Sequence, residues 1–154
     1  MNENLTVIFD CSGSFDENGK IEILRSLRLS TARITKNFGA CPIFFTWREE
    51  ISPQTSTKDL VARGSINVSA LVNFIDTCPE GSKILLFSDG IWDLDACAEI
   101  KSTLAARKIA LVFVAVGADA NRSTNYNVST FGGVWSPADL PSAVQILLFG
   151  GGVS

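Results

Sequence analysis

The feature that most constrains the fold is the stretch of residues 5–14, where a short apolar run leads directly into an acid and two hydroxyls. An apolar, β-branched run that ends in turn residues is typical of a buried parallel strand. In open α/β sheets, ligands bind just beyond the carboxyl ends of such strands. We therefore expect Asp10, Ser12 and Ser14 to lie together at the edge of a sheet, where Gly13 allows a tight loop.

A second acid, Asp89, follows another predicted buried strand, Lys83–Ser88. If the two strands are neighbours, Asp10 and Asp89 face each other across the edge of the sheet. Two carboxylates that close repel each other unless a cation lies between them. Carboxylate and hydroxyl oxygens are ligands for Mg²⁺ and Ca²⁺, so the pattern predicts a site for a hard divalent cation.

The remaining chain alternates predicted strands with predicted helices, which is typical of a doubly wound α/β fold. Strands are expected at 41–47, 49–51, 83–88, 109–116 and 134–135, and helices at 21–38, from 67 to a terminator at 79–81, at 96–107 and from 136 onward. We expect a three-layer, Rossmann-like sheet that is mostly parallel, with one short antiparallel edge strand and helices on both faces. Residues 1–149 are predicted to form a single domain, and 150–154 a glycine-rich terminus.

Helical periodicity indicates which residues of each helix face the core. These are Leu24, Leu27, Ile34 and Phe38, then Val68, Leu71, Val72 and Ile75, then Cys97, Ile100 and Leu104, and finally Leu140, Ala143, Val144, Leu147 and Leu148. The basic residues of the first helix lie off its apolar stripe and are expected to be solvated; they are Arg25, Arg28, Arg33 and Lys36.

Composition limits the class of partner. Hydrophobic residues make up 46% of the chain, so it can form a substantial core, and a net charge of -3 argues against a nucleic acid as partner. No apolar run approaches the length of a membrane span, and the first residues lack the features of an export signal. The four cysteines are widely spaced, which favours reduced thiols in a cytoplasm. The absence of histidine disfavours zinc and removes the usual base of a serine hydrolase.

Taken in order, these motifs resemble the metal-ion-dependent adhesion site (MIDAS) of von Willebrand factor A domains. Residues 10–14 match the family's Asp-x-Ser-x-Ser, and residues 88–90 are similar to its Thr-Asp-Gly. Residues 64–71 are similar to its Gly-Thr-x-x-x-x-Ala-Leu, which puts Ser65 in the place of a threonine ligand. Asn67 is the alternative ligand from this loop. Ser65 has an alternative role of its own, as the N-cap of the helix that follows.

The resemblance implies a non-catalytic protein-interaction module, in which a bound cation accepts an Asp or Glu carboxylate from a partner protein. The ion expected is Mg²⁺, with Mn²⁺ or Ca²⁺ as alternatives. The implied metal ligands are Asp10, Ser12, Ser14, Ser65 and Asp89. The resemblance also suggests a bacterial, cytoplasmic multiprotein system, built around an AAA-type ATPase or serving stress or conflict responses, and it leaves the oligomeric state open.

Three residues beside the predicted site are candidates for contact with the partner. Asp16 lies in the first loop, and Ile91 and Trp92 follow the second acid. Two of them have ordinary alternatives: Asp16 as a solvated loop acid, and Trp92 as part of the core. An exposed tryptophan at this edge would be a typical interaction hot spot.

Two other functions remain open from the sequence. One is a metal-free, degenerate domain of the same family that serves as a scaffold, which the serine at position 65 makes worth testing. The other is a Mg²⁺-dependent phosphoryl-transfer enzyme with Asp10 as nucleophile. The haloacid-dehalogenase pattern requires a second acid two residues after that nucleophile, where this chain has Ser12.

Overall fold

The computed structural model describes residues 3–11, 20–54, 67–88, 94–116, 129–131 and 135–150. Within these ranges, five strands form one sheet in the order β3-β2-β1-β4-β5. The strands are β1 (Glu3–Asp10), β2 (Ala40–Trp47), β3 (Ile51–Pro53), β4 (Lys83–Ser88) and β5 (Ala110–Ala115). Only the pair of β2 and β3 is antiparallel among the pairings of these strands. The predicted mostly parallel sheet with one short antiparallel edge strand is therefore confirmed.

The position of the edge strand differs from the prediction. The strand was expected at 49–51 and lies at Ile51–Pro53. The Arg48 N–H donates to the Glu50 carbonyl (3.0 Å), so residues 48–50 form the turn and pairing with β2 begins only at Ile51. Near the other edge of the sheet, Trp135 makes a single parallel bridge to Val114 of β5, where a short strand was predicted.

Four helices of the described chain pack against the sheet. The first three have bounds within two residues of the predicted ones, whereas the last begins four residues after its predicted start at 136, because residues 137–139 form a 3₁₀ turn. They are α1 (Lys20–Asn37), α2 (Val68–Thr77), α3 (Leu94–Arg107) and α4 (Leu140–Phe149), the last preceded by a 3₁₀ turn at Pro137–Asp139. Gly39 follows α1 with a positive φ of 74°, the left-handed conformation that commonly ends a helix. Among the described helices, none has both the length and the apolar character needed to cross a bilayer.

The sheet is buried on both faces, which explains why its central strands are continuously apolar. On one face α1 and α4 pack against alternate residues of β1 and β4, including Val7 and Phe87. On the other face α2 and α3 pack against the intervening residues, including Ile8 and Leu86. All the helix residues predicted to face the core are buried or packed against it, so that prediction is confirmed.

Three aromatic rings from adjacent strands stack directly beneath the carboxyl end of β1. The Phe9 ring lies between Phe87 of β4, at 5.1 Å between centroids, and Phe44 of β2, at 5.9 Å. Because stacked aromatic pairs contribute beyond the area they bury, this row holds three strands in register. The row of rings therefore fixes the position of Phe9, the residue before Asp10.

The prediction of a solvated basic face on α1 is wrong for Arg28. Its guanidinium carbon lies 4.3 Å from the centroid of the Phe44 ring, a cation–π geometry. Its Nε donates to Gln54 Oε1 at 3.3 Å. Arg28 therefore ties α1 to the edge of the sheet through β2 and the residue after β3.

Side-chain caps define the starts of two helices. Asn67 is the N-cap of α2, because its Oδ1 accepts the Ser69 N–H at 3.0 Å. The alternative role of Ser65 as the cap of this helix is therefore wrong. Before α4, the Asp139 carboxylate accepts both the N–H of Ser136, at 2.9 Å, and its hydroxyl, at 3.0 Å, as the hydroxyl–Pro–x–acid sequence predicts.

Two leucines of α1 provide a matched test of this packing. Leu24 is 0% exposed in the core and Leu29 is 59% exposed. We expect Leu24→Ala to lower the free energy of unfolding by about 2–5 kcal/mol, because it removes buried methyl groups and leaves a cavity. Leu29→Ala should change it by less than about 0.5 kcal/mol. Urea unfolding followed by circular dichroism measures both, and equal losses would contradict the placement of α1.

The cap of α2 is tested by a pair of asparagines. Asn67→Ala should destabilise the protein by about 1 kcal/mol because the Ser69 N–H loses its acceptor, whereas Asn67→Asp should retain the cap. Asn73 is exposed within the same helix, so Asn73→Ala is the control and should be neutral or slightly stabilising. Denaturant unfolding measures all three variants; an unaltered Asn67→Ala protein would rule out the capping role.

Candidate functional site

Asp10 is the last residue of β1 and lies at the carboxyl edge of the sheet. β1 pairs in parallel with β2 on one side and with β4 on the other. Because Ile8 and Leu86 are register partners, Asp10 and Ser88, two residues further along each strand, extend to the same face of the sheet. The two strands predicted to end in acids are thus neighbours.

A buried hydrogen bond joins these two strand ends. The Ser88 hydroxyl donates to Oδ2 of Asp10 at 2.6 Å, and both residues are 0% exposed. A hydroxyl–oxygen distance this short falls in the range of bonds to an ionised acceptor. The Ser88 carbonyl in turn accepts the N–H of Val116 at 2.9 Å, which anchors the end of β4 to the chain that follows β5. The carboxyl group of Asp10 is therefore oriented by a donor that is itself fixed.

Cys11 continues β1 directly past the acid. Its N–H donates to the Trp47 carbonyl at 2.9 Å, and its side chain is completely buried. Burial raises the pKa of the Cys11 thiol to about 12; the positive charge of Arg48 lowers the pKa and the negative charge of Asp10 raises it, both by less. The thiol is therefore neutral at physiological pH and adds no second negative charge beside Asp10.

The end of β2 is bonded to the start of α2. The indole N–H of Trp47, a fully buried residue, donates to the Asn67 carbonyl at 3.0 Å. The Asn67 N–H donates to the carbonyl of Arg48 at 3.1 Å. These two bonds hold the N-terminus of α2 against the strand that pairs with β1. The Asn67 side chain caps α2, which is the role the structure gives to the alternative ligand of this loop.

Of the predicted site residues, Asp10 alone lies in the described part of the chain. The other four predicted ligands, Ser12, Ser14, Ser65 and Asp89, lie outside it, as do the predicted partner-contacting residues Asp16, Ile91 and Trp92. The sequence interpretation did not assign a role to Ser88. The sequence does place a hydroxyl immediately before the second acid. Whether that hydroxyl bonds to Asp10 depends on the register between β1 and β4, which the sequence pattern does not specify.

The described donors fit a hard cation. Asp10 and Ser88 bring a carboxylate and a hydroxyl to the edge of the sheet, and oxygen is the donor that Mg²⁺ and Ca²⁺ take. The neutral thiol of Cys11 is a poor ligand for soft metals, which bind the thiolate. Within the described ranges, no group of three or more His, Cys, Asp or Glu residues is arranged to hold a metal ion.

The fold is similar to those of several solved structures. The chain matches a von Willebrand factor type A protein from Catenulispora acidiphila with a TM-score of 0.61 and 16% identity, over 92% of this chain and 40% of that one. It matches the manganese-loaded TRAP protein of Plasmodium vivax with a TM-score of 0.67 and 11% identity, over 93% and 72% of the two chains. Proximal thread matrix protein 1 from the mussel byssus, with zinc in its MIDAS motif, gives a TM-score of 0.62 and 14% identity, over 96% and 45%.

No similarity to a known protein is found at the level of sequence. No protein-family model matches the chain, and no curated protein matches it in sequence. At sequence identities of 11–16%, similarity to these structures shows the fold alone. The mostly parallel sheet with one antiparallel strand and its helices matches the α/β fold of these structures. The chain has the fold of a von Willebrand factor type A domain.

Proposed function

We propose that this chain is a non-catalytic protein-interaction module that binds a divalent cation at the carboxyl edge of its sheet and, through that cation, a carboxylate of a partner protein. The observation that carries the proposal is the buried Asp10 carboxylate, held by the Ser88 hydroxyl at 2.6 Å between two parallel strands. The proposed ion is Mg²⁺, with Mn²⁺ and Ca²⁺ as the ions to compare. The proposed ligands are Asp10, Ser12, Ser14, Ser65 and Asp89.

The proposed interaction depends on a bound cation whose charge the protein ligands neutralise only in part. A divalent cation that protein ligands neutralise only in part retains affinity for an incoming Asp or Glu side chain. A contact between such charged groups is strong and directional. Asp10 contributes negative charge, and Ser88 keeps its carboxyl group in one orientation. The row of rings below Asp10 packs the end of β1 between β2 and β4, which favours a fixed position for this ligand.

Two of the similar structures support a divalent cation in general. The Plasmodium vivax TRAP protein is manganese-loaded, and the mussel byssus protein has zinc in its MIDAS motif. Zinc is a less suitable ion for this chain because the sequence has no histidine. A hard, oxygen-bound ion suits the donors described here better.

The partner is proposed to be a protein that presents an acidic residue to the ion. Asp16, Ile91 and Trp92 are the proposed residues beside the ion that contact this partner. We place the module in the cytoplasm of a bacterial cell, within a multiprotein system of the AAA-ATPase, stress or conflict type. Nucleic acid and membrane surfaces are not proposed as partners of a chain with a net charge of -3.

Calorimetric titration with Mg²⁺ and with Mn²⁺ tests the cation directly. The wild type should bind each ion, and Asp10→Asn should abolish or strongly reduce binding, since it removes the charge while keeping the shape. In thermal unfolding, a metal concentration of about 100 times Kd should stabilise the wild type by about 2.7 kcal/mol and leave the variant unchanged. Asp76 is exposed on α2, and Asp76→Asn is the control that makes the same change in net charge and should bind as the wild type does.

The wild type and the Asp10→Asn variant also distinguish the metal-free scaffold and the phosphoryl-transfer enzyme from the proposed module. If neither ion produces heat with the wild type, the metal-free scaffold is the remaining function. If the wild type hydrolyses p-nitrophenyl phosphate in the presence of Mg²⁺ and Asp10→Asn does not, the protein is a phosphoryl-transfer enzyme. The proposed module should instead bind a short peptide with a central Glu when Mg²⁺ is present, lose it when EDTA is added, and ignore the same peptide with Gln.

The cysteines are consistent with a reducing cytoplasm and generate a separate prediction. None of the four takes part in a disulfide; Cys41 is exposed and Cys11, Cys78 and Cys97 are buried. Burial also raises the pKa of the Cys78 thiol, and the nearby Arg107 lowers it by less. At about pH 8, where an exposed thiol is partly ionised, we expect a maleimide to label Cys41 rapidly and the other three slowly. Cys41→Ser should abolish the rapid phase under native conditions.

Unfolding supplies the control for the labelling experiment. In denaturant, the wild type should label at four sites and Cys41→Ser at three, as detected by mass spectrometry.

The raised pKa of the Cys11 thiol also predicts how the stability of the protein changes with pH. Because the folded state holds the Cys11 proton to about pH 12, this thiol has no effect on stability below its unfolded pKa of 9.0 and reduces stability as the pH rises from there. Rapid native labelling of a second cysteine would contradict the burial described here.

A further inference from the structure

We infer that the outer face of α1 is a second interaction surface, which binds an acidic protein segment that carries an apolar side chain among its carboxylates. The inference does not depend on a bound cation. It assigns a function to basic residues that the cation-dependent interaction does not use.

Basic residues are concentrated in α1, although the chain as a whole is acidic. Residues 21–37 contain four basic residues and one acid, a net charge of +3 within a chain whose net charge is -3. The acid, Glu22, is paired with Arg25 at 2.6 Å. Arg33 and Lys36 form no ion pair with any residue that the structure describes. Their charges therefore give this face a local positive potential, which attracts an acidic partner.

The exposed side chains of α1 lie along one line of the helix. Leu29 and Arg33 are four residues apart and Lys36 follows three residues later, a spacing that puts all three on one helical face. The buried residues Leu24 and Leu27 lie on the side that faces the sheet. At 59%, Leu29 is the most exposed large hydrophobic residue in the described part of the chain. The outer face of α1 thus presents an apolar side chain beside two basic ones.

The topology keeps this face away from the carboxyl edge of the sheet. β1 and β2 are parallel neighbours, and α1 lies between them in the chain, so α1 runs back from the carboxyl edge toward the amino edge. Arg33 and Lys36 are in the last two turns of α1, shortly before β2 begins at Ala40. Asp10 ends β1 at the opposite edge. A partner can therefore occupy the outer face of α1 whether or not an ion is bound at Asp10.

The residues of this face favour an acidic protein segment over a nucleic acid. Sites for single-stranded nucleic acid combine positive charge with aromatic side chains on which bases stack, and α1 contains no aromatic residue. Carboxylates form strong charge-assisted hydrogen bonds with guanidinium and ammonium groups. The distance from Leu29 to Lys36 along the helix axis is about 10 Å, which about three residues of an extended segment cover. An apolar side chain of such a segment can contact Leu29 while nearby carboxylates reach Arg33 and Lys36.

The experiment measures the fluorescence anisotropy of a labelled peptide in which six glutamates surround a central leucine, titrated with the full chain in EDTA at low salt. Arg33→Glu/Lys36→Glu should weaken binding about tenfold or more, because two attractions become repulsions. Leu29→Ala should weaken it about threefold or more, because apolar contact is lost. Lys101→Glu/Lys108→Glu is the control, since both residues are exposed, Lys101 lies on α3 at the other face of the sheet, and the change in net charge is the same. It should weaken binding by less than about twofold, because distant charges are screened.

A second peptide, in which serine replaces the central leucine, tests the apolar contact. It should bind the wild type and Leu29→Ala with equal affinity, since the contact is already absent. Added salt should weaken the binding of the original peptide to the wild type and to Leu29→Ala alike, and should have little further effect on Arg33→Glu/Lys36→Glu.

Three results would overturn the inference. The first is that the wild type does not bind the leucine-containing peptide. The second is that the control variant loses as much affinity as Arg33→Glu/Lys36→Glu, which would indicate attraction by net charge alone. The third is that a labelled oligothymidine binds more tightly than the peptide at the same salt concentration, which would indicate a site for nucleic acid. Because EDTA is present throughout, none of these results bears on the cation proposed at Asp10.

Circular dichroism establishes first that each variant is folded, as expected for substitutions at exposed positions. If Arg33→Glu/Lys36→Glu does not fold, the single variants Arg33→Gln and Lys36→Gln replace it. Each should weaken binding of the leucine-containing peptide about twofold or more, since each removes one charge. Wild-type affinity in both single variants would also overturn the inference.

Discussion

The carboxyl group of Asp10 has to be accommodated inside the protein, and the arrangement of the strand ends meets that requirement. Burying an unpartnered carboxylate costs several kcal/mol even after the protein relaxes. Here a buried hydroxyl on the next strand donates to it at 2.6 Å, and the positive charge of Arg48 is close enough to lower the pKa of the adjacent Cys11 thiol. The same thiol is kept neutral by its burial. The fold therefore places one acid among groups that stabilise it, at the carboxyl edge of the sheet, where ligands bind in open α/β sheets.

Two sets of contacts hold the strand ends around Asp10 in place. Beneath the acid, the stacked rings of Phe44, Phe9 and Phe87 hold β2, β1 and β4 in register. To the side, the Trp47 indole and the Arg48 carbonyl bond to Asn67, which joins the end of β2 to the start of α2. These contacts fix the position of Asp10, the one proposed metal ligand that lies in the described part of the chain.

The sequence predicted the architecture well because its signals were local. Apolar runs gave the central strands, and β4 was found at its observed bounds, Lys83–Ser88. The edge strand was displaced because a turn at Arg48 sets where pairing begins, and that turn has no distinctive residue. The Ser88–Asp10 bond could not be predicted, since it joins residues 78 positions apart through a register that alternation alone does not fix. Arg28 was misjudged for a similar reason: the ring it covers belongs to a different element.

The charge of the whole chain explains why a cation is needed for the proposed interaction. A net charge of -3 gives the protein no overall attraction for an acidic partner, so attraction has to come from a local positive potential. Arg48 supplies one charge near the end of β1, as its effect on the Cys11 thiol indicates. Charges farther apart than about 8 Å are largely screened at physiological salt, so the surface acids weaken such a contact only slightly. A divalent ion near Arg48 would raise the local positive charge from one unit to three within that range. Recognition of a single carboxylate by an acidic domain thus becomes physically reasonable when an ion is bound at Asp10.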